Sequence, residues 1–271
     1  MSLLWRDEVG VFLGPGKLVM SRMRRGLRGL CVAQHFTPLE HQAGAGDWSR
    51  GLLALSSELT DPKWRDAHLR VVLADAWVRY ALVPSSEALE GEDERLQHAR
   101  YFMAQVYGDT LEDWDIALAD GGGTDGCVAA AMPRALVDGI KAMRTGSAQI
   151  ASIQPQLITA FNAWSWRLPP TGGWFVTIEQ GSLSAAHFTE RGWDRVHSVR
   201  IGREWSAELR RLRTFGRLAL GSAADERVFV DAPLWLRRIA GAAGEGLEWL
   251  EEQRAGAGTL DTLVELRGQY A

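Results

Sequence analysis

The chain has 271 residues, 46% of them hydrophobic and 24% charged, with a formal net charge of -4. This is the makeup of a soluble globular protein, long enough for two modest lobes or one large domain, and its acidic balance argues against a general nucleic-acid binder. No apolar run is long enough to cross a bilayer, and Arg6, Asp7, Glu8 and Lys17 interrupt the stretch where a signal peptide would need an unbroken apolar core, so a cytoplasmic protein is expected.

In chain order, Glu8 to Leu13 reads as a strand, Gly14-Pro15-Gly16 as a turn, Lys17 to Met23 as the returning strand, Arg24 to Gly29 as a second turn and Leu30 to Phe36 as a third strand. Arg22, Arg24, Arg25 and Arg28 bracket that second hairpin and are expected to be a solvated tip. Asp47 is placed to N-cap a helix over 47–59, whose Leu52, Leu55 and Leu59 share one face and which Asp61-Pro62 stops. A strand over 69–74 follows. Asp75 then stands between two apolar runs, where it reads as a turn cap, or less readily as a carboxylate able to hold Mg²⁺.

From 77 the pattern is strand, helix over 93–107 ended by Gly108, two strands around the glycine-rich 121–126, and a helix with Pro133 at its first position and Gly146 as C-cap. The GGG run is read as a hairpin loop, because a phosphate loop needs a following helix and a lysine, and here a strand follows. Then come a short strand, a proline and a helix reaching Trp164.

The stretch 173–201 is a three-stranded meander, cut at Gln180-Gly181-Ser182 and at Glu190-Arg191-Gly192, where glycine permits the positive φ of a hairpin turn. A helical pattern over 204–218 follows, with Arg203, Arg210, Arg211, Arg213 and Arg217 expected to be solvated and paired with Glu204 and Glu208. A strand over 227–230 and a second helical stretch come next, and the chain closes with a glycine-bearing tail from Gln253. Cys31 and Cys127, the two cysteines, fall in strands and are expected to be buried and reduced. Of twelve tryptophans, Trp48, Trp64, Trp77, Trp164, Trp205 and Trp235 are expected in the core with their indole N–H satisfied.

Two β-β-β-α-β units thus stand in one chain, with Gly14 and Gly181 in equivalent turns. That is the plan of the duplicated actin-like, ribonuclease-H-like α/β fold. The division this implies is a first lobe over 1–76 and 148–172, an inserted α/β subdomain over 77–147, a second lobe over 173–252 and a tail over 253–271.

The segment VAAAMPRALVDGIKAM, a short loop and IASIQPQLITAFNAW, together with the upstream VVLADAWVRYALVPSS, resembles the PilM, FtsA and GspL group of the actin-like superfamily, in which the first lobe carries an inserted subdomain. In the members that bind ATP, an acidic, glycine-containing hairpin in each half holds Mg²⁺ and the phosphates. Here the matching stretches are Phe12-Leu13-Gly14-Pro15-Gly16-Lys17, with Phe12 where the acid would stand and a proline lacking its N–H, and Glu179-Gln180-Gly181-Ser182, with one acid. Val230-Asp231-Ala232-Pro233-Leu234 replaces the adenosine-binding glycines. The resemblance therefore implies a degenerate nucleotide site at Gly14, Gly16, Lys17, Glu179, Gly181 and Ser182, with ATP and Mg²⁺ disfavoured.

It further implies a non-enzymatic cytoplasmic scaffold, peripheral to the inner membrane, of a type IV pilus or type II secretion platform. Such a scaffold would bind the cytoplasmic tail of an inner-membrane partner, relay to an assembly ATPase and allow a homodimer, and it would not bind nucleic acid. The alternatives are an ATPase or small-molecule kinase using Glu179 or Asp75 for Mg²⁺ and Lys17 for phosphate, and a sensor that kept only the fold. The scattered histidines support no metal site, and no G-x-S-x-G elbow supports a serine hydrolase.

Overall fold

The computed structural model describes residues 7–24, 30–40, 48–84, 91–120, 126–143, 148–202, 205–220, 227–233, 235–236 and 246–250, with the backbone alone at 109–110, 120, 213 and 215–220. The expectations for Asp47, Arg25, Arg28, Gly146, Glu204, the 121–125 loop and the tail lie outside these residues.

The first sheet is built from β1 (Asp7–Gly14), β2 (Lys17–Arg24), β3 (Leu30–Pro38), β4 (Ala67–Leu73) and β8 (Gln149–Pro155). The second is built from β9 (Gly173–Glu179), β10 (Ser182–Thr189), β11 (Gly192–Arg200), β12 (Val228–Asp231) and β13 (Leu247–Trp249). Their orders are β3-β2-β1-β4-β8 and β11-β10-β9-β12-β13, an identical topology: an antiparallel meander, then parallel strands added beside its first member. Inserted in sequence between β4 and β8 of the first sheet is a third sheet, β5 (Arg79–Pro84), β6 (Trp114–Asp120) and β7 (Gly126–Pro133), ordered β5-β7-β6 and wholly antiparallel.

The helices are α1 (Ser49–Glu58), α2 (Glu92–Tyr107), α3 (Arg134–Ala142), α4 (Gln156–Trp164) and α5 (Trp205–Leu220). Gly108 ends α2 with φ 70°, as its lack of a Cβ allows. α1 begins after Trp48 with no side-chain cap, and α3 ends with Met143 as its cap. The strand β13 escapes the sequence pattern, because three residues are too few to show alternation.

Strand alternation decides what each lobe buries. Along β9, Trp174, Val176 and Ile178 pack with Leu183, Ala185, Leu209 and Leu212 of β10 and α5 in the core of the second lobe. The intervening Phe175 faces the other way and belongs, with Phe188 and Phe229, to the same apolar cluster as Val11, Leu13, Leu69 and Leu157 of the first lobe. Phe161 of α4 is one contact that joins them: its ring lies edge-on at 5.4 Å from Phe175, 5.6 Å from Phe188 and 4.9 Å from Trp193. The third sheet has its own core of Ala81, Val83, Ala99, Met103, Ile116 and Ala129.

Four details differ from the sequence reading. Cys31 and Cys127 form no disulfide and are half-buried, because β3 is an edge strand and Cys127 stands near the start of β7. Trp64, Trp77, Trp164 and Trp205 are buried, whereas Trp235 is exposed because its neighbour Leu236 takes the place in the core, and Trp48 is half-buried. Trp64 is fully enclosed and its Nε1 has no hydrogen-bond partner among the described residues, so its N–H is not satisfied as expected. Arg22 is no solvated tip: it donates to Asp7 Oδ2 at 2.8 Å and to the Lys63 and Arg65 carbonyls, fixing β1 and β2 to the loop before β4.

Candidate functional site

The duplicated topology brings the two hairpin turns face to face. Gly14 pairs with Lys17 across the first and Glu179 with Ser182 across the second, so Gly16 answers to Gly181, Gly14 to Glu179, Lys17 to Ser182 and Phe12 to Thr177. Gly14 and Gly181 thus stand in equivalent turns, as read from the sequence, two positions apart within the aligned hairpins. A Cβ on Gly16 would collide with the side-chain amide of Gln180, which means that the two turns touch. Gly181 has φ 86° with nothing near its missing Cβ, so there glycine serves conformation alone.

The inner side of the first hairpin is apolar. Phe12 is buried in a small cluster with Val19, Val72 and Ala74, and Phe36 packs against it. Lys17 Nζ lies 5.1 Å from the Phe12 ring centroid, so the lysine head is held over an aromatic face. A Cβ on Gly14 would press on Ala74 and on the Phe12 ring, both at 3.1 Å. Ser182 is buried, and its Oγ has no hydrogen-bond partner among the described residues.

The centre of the site is Asp75, in a short 3-10 turn over Asp75–Trp77 that leaves β4 for the third sheet. It is only 1% exposed. Its carboxylate is where all three sheets meet. Tyr80 Oη, from β5, donates to Oδ1 at 2.5 Å. The Leu157 amide, in the first turn of α4, donates to the same oxygen at 3.1 Å. Thr177 Oγ1, from β9, donates to Oδ2 at 3.1 Å. The Asp75 amide in turn donates to Glu179 Oε2 at 3.3 Å.

Alternation along β9 explains this placement: Thr177 and Glu179 share the face of Phe175, which looks toward the first lobe. The turn-cap reading of Asp75 is therefore corrected. The turn has no side-chain cap, and the carboxylate caps α4 instead, 82 residues away, where Pro155 offers no side-chain acceptor. Burial pushes the Asp75 carboxyl above its ordinary range, while the donors Tyr80, Leu157, Ser184 and Thr177 act against that rise. Desolvation, with the Asp75 charge second, holds the Tyr80 hydroxyl well above its usual value, so the phenol stays a proton donor.

A magnesium-bound triphosphate needs a carboxylate able to reach the ion or its waters and backbone N–H groups open to phosphate oxygens. The residues present do not fit that group. Asp75 spends both oxygens on protein donors, Glu179 accepts from the Asp75 amide, Pro15 has no N–H, and Gln180 covers Gly16. Among the described residues, no group of three or more His, Cys, Asp and Glu side chains could hold a metal ion, and no helix is long and apolar enough to cross a membrane.

Twin sheets of identical order, hairpins meeting at their turns and an inserted three-stranded sheet define the actin-like fold. Solved structures share it. The PilM-PilN type IV pilus biogenesis complex matches over 90% of this chain and 88% of its own with TM-score 0.66 at 15% identity. A Bacteroides thetaiotaomicron protein of actin-like ATPase fold and unknown function matches over 96% and 95% with TM-score 0.62 at 7% identity. The cytoplasmic domain of EpsL, an inner membrane component of the type II secretion system of Vibrio cholerae, matches over 95% and 92% with TM-score 0.54 at 14% identity. No family model matches the sequence, and no curated protein does.

Proposed function

We propose that this protein is a non-enzymatic scaffold of a type IV pilus or type II secretion assembly platform, which holds the cytoplasmic tail of an inner-membrane partner and stands beside the inner membrane. The observation that carries this reading is the mutual engagement of the two hairpins, with Gln180 against Gly16 and Asp75 bonded to Tyr80, Leu157 and Thr177 where a nucleotide would separate the lobes. The fold shared with a pilus-biogenesis complex and with a cytoplasmic secretion-system domain supports the setting. In this reading Gly14, Gly16, Lys17, Glu179, Gly181 and Ser182 are the remains of a phosphate site, and the chain divides into lobes over 1–76 with 148–172 and over 173–252, an inserted subdomain over 77–147 and a tail over 253–271.

Two measurements test it. Titration calorimetry and melting with millimolar Mg-ATP should give no saturable heat and no shift, because a ligand at about 100 times its Kd would stabilise the fold by about 2.7 kcal/mol. Immobilised cytosolic tails of single-span membrane proteins encoded beside this gene should retain the protein. Saturable Mg-ATP binding, or failure of every neighbouring tail to bind, overturns the scaffold reading.

A further inference from the structure

β3 closes one side of the first sheet and has β2 alone beside it among the described strands. Its residues, LCVAQHFTP, include no Asp, Glu, Lys or Arg. Its counterpart is β11, which holds the same place in the identical order of the second sheet and carries Asp194, Arg195 and Arg200. Charged side chains are an ordinary means of keeping an edge from pairing with another chain. The duplication therefore supplies an internal comparison, in which one edge is guarded and the other is bare. On the bare one Leu30 is 60% exposed and Val32 39%, and Gln34 is exposed with them.

Register fixes which backbone groups this edge offers. The Leu39 amide donates to the Gly16 carbonyl at 2.9 Å, and Leu18 pairs with Thr37, Met20 with His35 and Arg22 with Ala33. Antiparallel ladder bonds recur at every second residue, so Thr37, His35 and Ala33 turn their backbone groups to β2, and Phe36 and Gln34 turn theirs outward. The bulge opposite Arg22 and Met23 leaves Val32 with no register partner on β2.

These groups match a second copy of themselves. Run antiparallel about a two-fold axis at Gln34, β3 of one copy sets Gln34 against Gln34, Val32 against Phe36 and Leu30 against Pro38 of the other, so outward groups meet outward groups and apolar meets apolar. The Gln34 amide gives one N–H to Cys31 Sγ at 3.2 Å, which leaves its second N–H and its oxygen for the amide across the axis. Charge favours the same direction. Arg24, exposed and opposite Leu30 on β2, comes beside the end of the other copy that bears Glu40, whose side chain is 93% exposed. A parallel pairing would set Arg24 against Arg24. The uncharged strand between these ends lets two chains of net charge -4 meet without like charges in the contact.

We propose that β3 is a self-association edge, through which two copies of this chain pair antiparallel and join their first sheets into one continuous sheet. One strand on one strand is a small interface, under about 1,200 Å² in total, so the pair is transient, with a Kd on the order of 10–100 µM. The proposal is independent of the platform reading, since it concerns one sheet edge and not the assembly the protein serves.

The test is sedimentation velocity of the full chain from about 5 to about 500 µM, over which monomer should give way to dimer. Gln34→Lys sets two ammonium groups across the axis and Val32→Lys charges the flanking pair, and each should weaken the dimer about tenfold or more. Arg24→Glu should weaken it about threefold, and Glu40→Arg added to the same chain should restore it, because both contacts across the axis are rebuilt with reversed sign. All four positions are exposed, and circular dichroism checks that each variant is folded. A chain that stays monomeric at about 500 µM overturns the proposal, even if a segment of another protein then binds the strand. Dimers that both lysine variants form as tightly as the parent overturn it as well. So does a reversed charge pair that fails to recover what Arg24→Glu loses.

Discussion

Asp75 Oδ1 accepts the Leu157 amide at 3.1 Å, so the N-terminus of α4 is capped by a carboxylate from the far end of another strand. Because the same side chain also takes Tyr80 and Thr177, one buried residue fixes the junction of the two lobes and the third sheet.

Asp75→Ala leaves the Tyr80, Leu157 and Thr177 donors without their acceptor and should lower stability by about 3 kcal/mol. Asp75→Asn keeps the shape and removes the titration. The sign follows from the raised folded pKa: above the ordinary value of 3.8 the unfolded carboxyl loses its proton before the folded one does. The stability linked to this shift is present in full below that value and is lost as pH rises through the folded pKa. Urea unfolding across pH should therefore show parent stability falling relative to Asp75→Asn over that window. Parallel curves would show that the carboxyl is not perturbed.

Restoring an acid to the first hairpin should not restore a nucleotide site. Phe12→Asp would put a carboxylate among Val19, Val72 and Ala74 and remove the ring beneath Lys17. A loss of at least about 3 kcal/mol is expected, less whatever the new carboxylate recovers by pairing with Lys17. Melting in Mg-ATP should not move. A variant as stable as the parent, or one stabilised by Mg-ATP, contradicts the packing account.

Two glycines with left-handed backbone should respond unequally to alanine. Gly181 has φ 86° and open space, so Gly181→Ala should cost about 1 kcal/mol from conformation alone. Gly172 has φ 95°, and a Cβ there would also strike the Phe188 carbonyl, so Gly172→Ala should cost at least about twice as much. Chemical denaturation of both variants checks the order, and equal losses refute it.

Phe161→Ala removes the ring that touches Phe175, Phe188 and Trp193 and should destabilise by about 3 kcal/mol. In a double-mutant cycle with Phe188→Leu the coupling should be about 0.5–1.5 kcal/mol, the range for an edge-to-face pair. A coupling of zero would mean that α4 rests on the second lobe without depending on it.

The repeat was legible because glycine cuts the apolar runs: Gly181 at φ 86° and Gly192 at φ 109° sit at the turns where the sequence puts them. The twin sheet orders follow from those hairpins and the parallel strand after each helix. The Asp75 junction was not legible. Its partners Thr177 and Leu157 are 102 and 82 residues away, and local pattern reports only neighbours in sequence. What the sequence does offer is a strand-end acid flanked by alanines, a position that reads equally as a turn. Arg22 misled for the same reason, since Asp7 is 15 residues away and its other two acceptors, at Lys63 and Arg65, are backbone carbonyls that carry no signal.

The aromatic seam of Phe161, Phe175 and Phe188 has a bearing on how the gene can be cut. A fragment ending before Gly173 would expose one side of that seam to water and a fragment starting there the other, so each half taken separately should clump, and only the uncut polypeptide should behave as a well-dispersed, cooperatively melting particle.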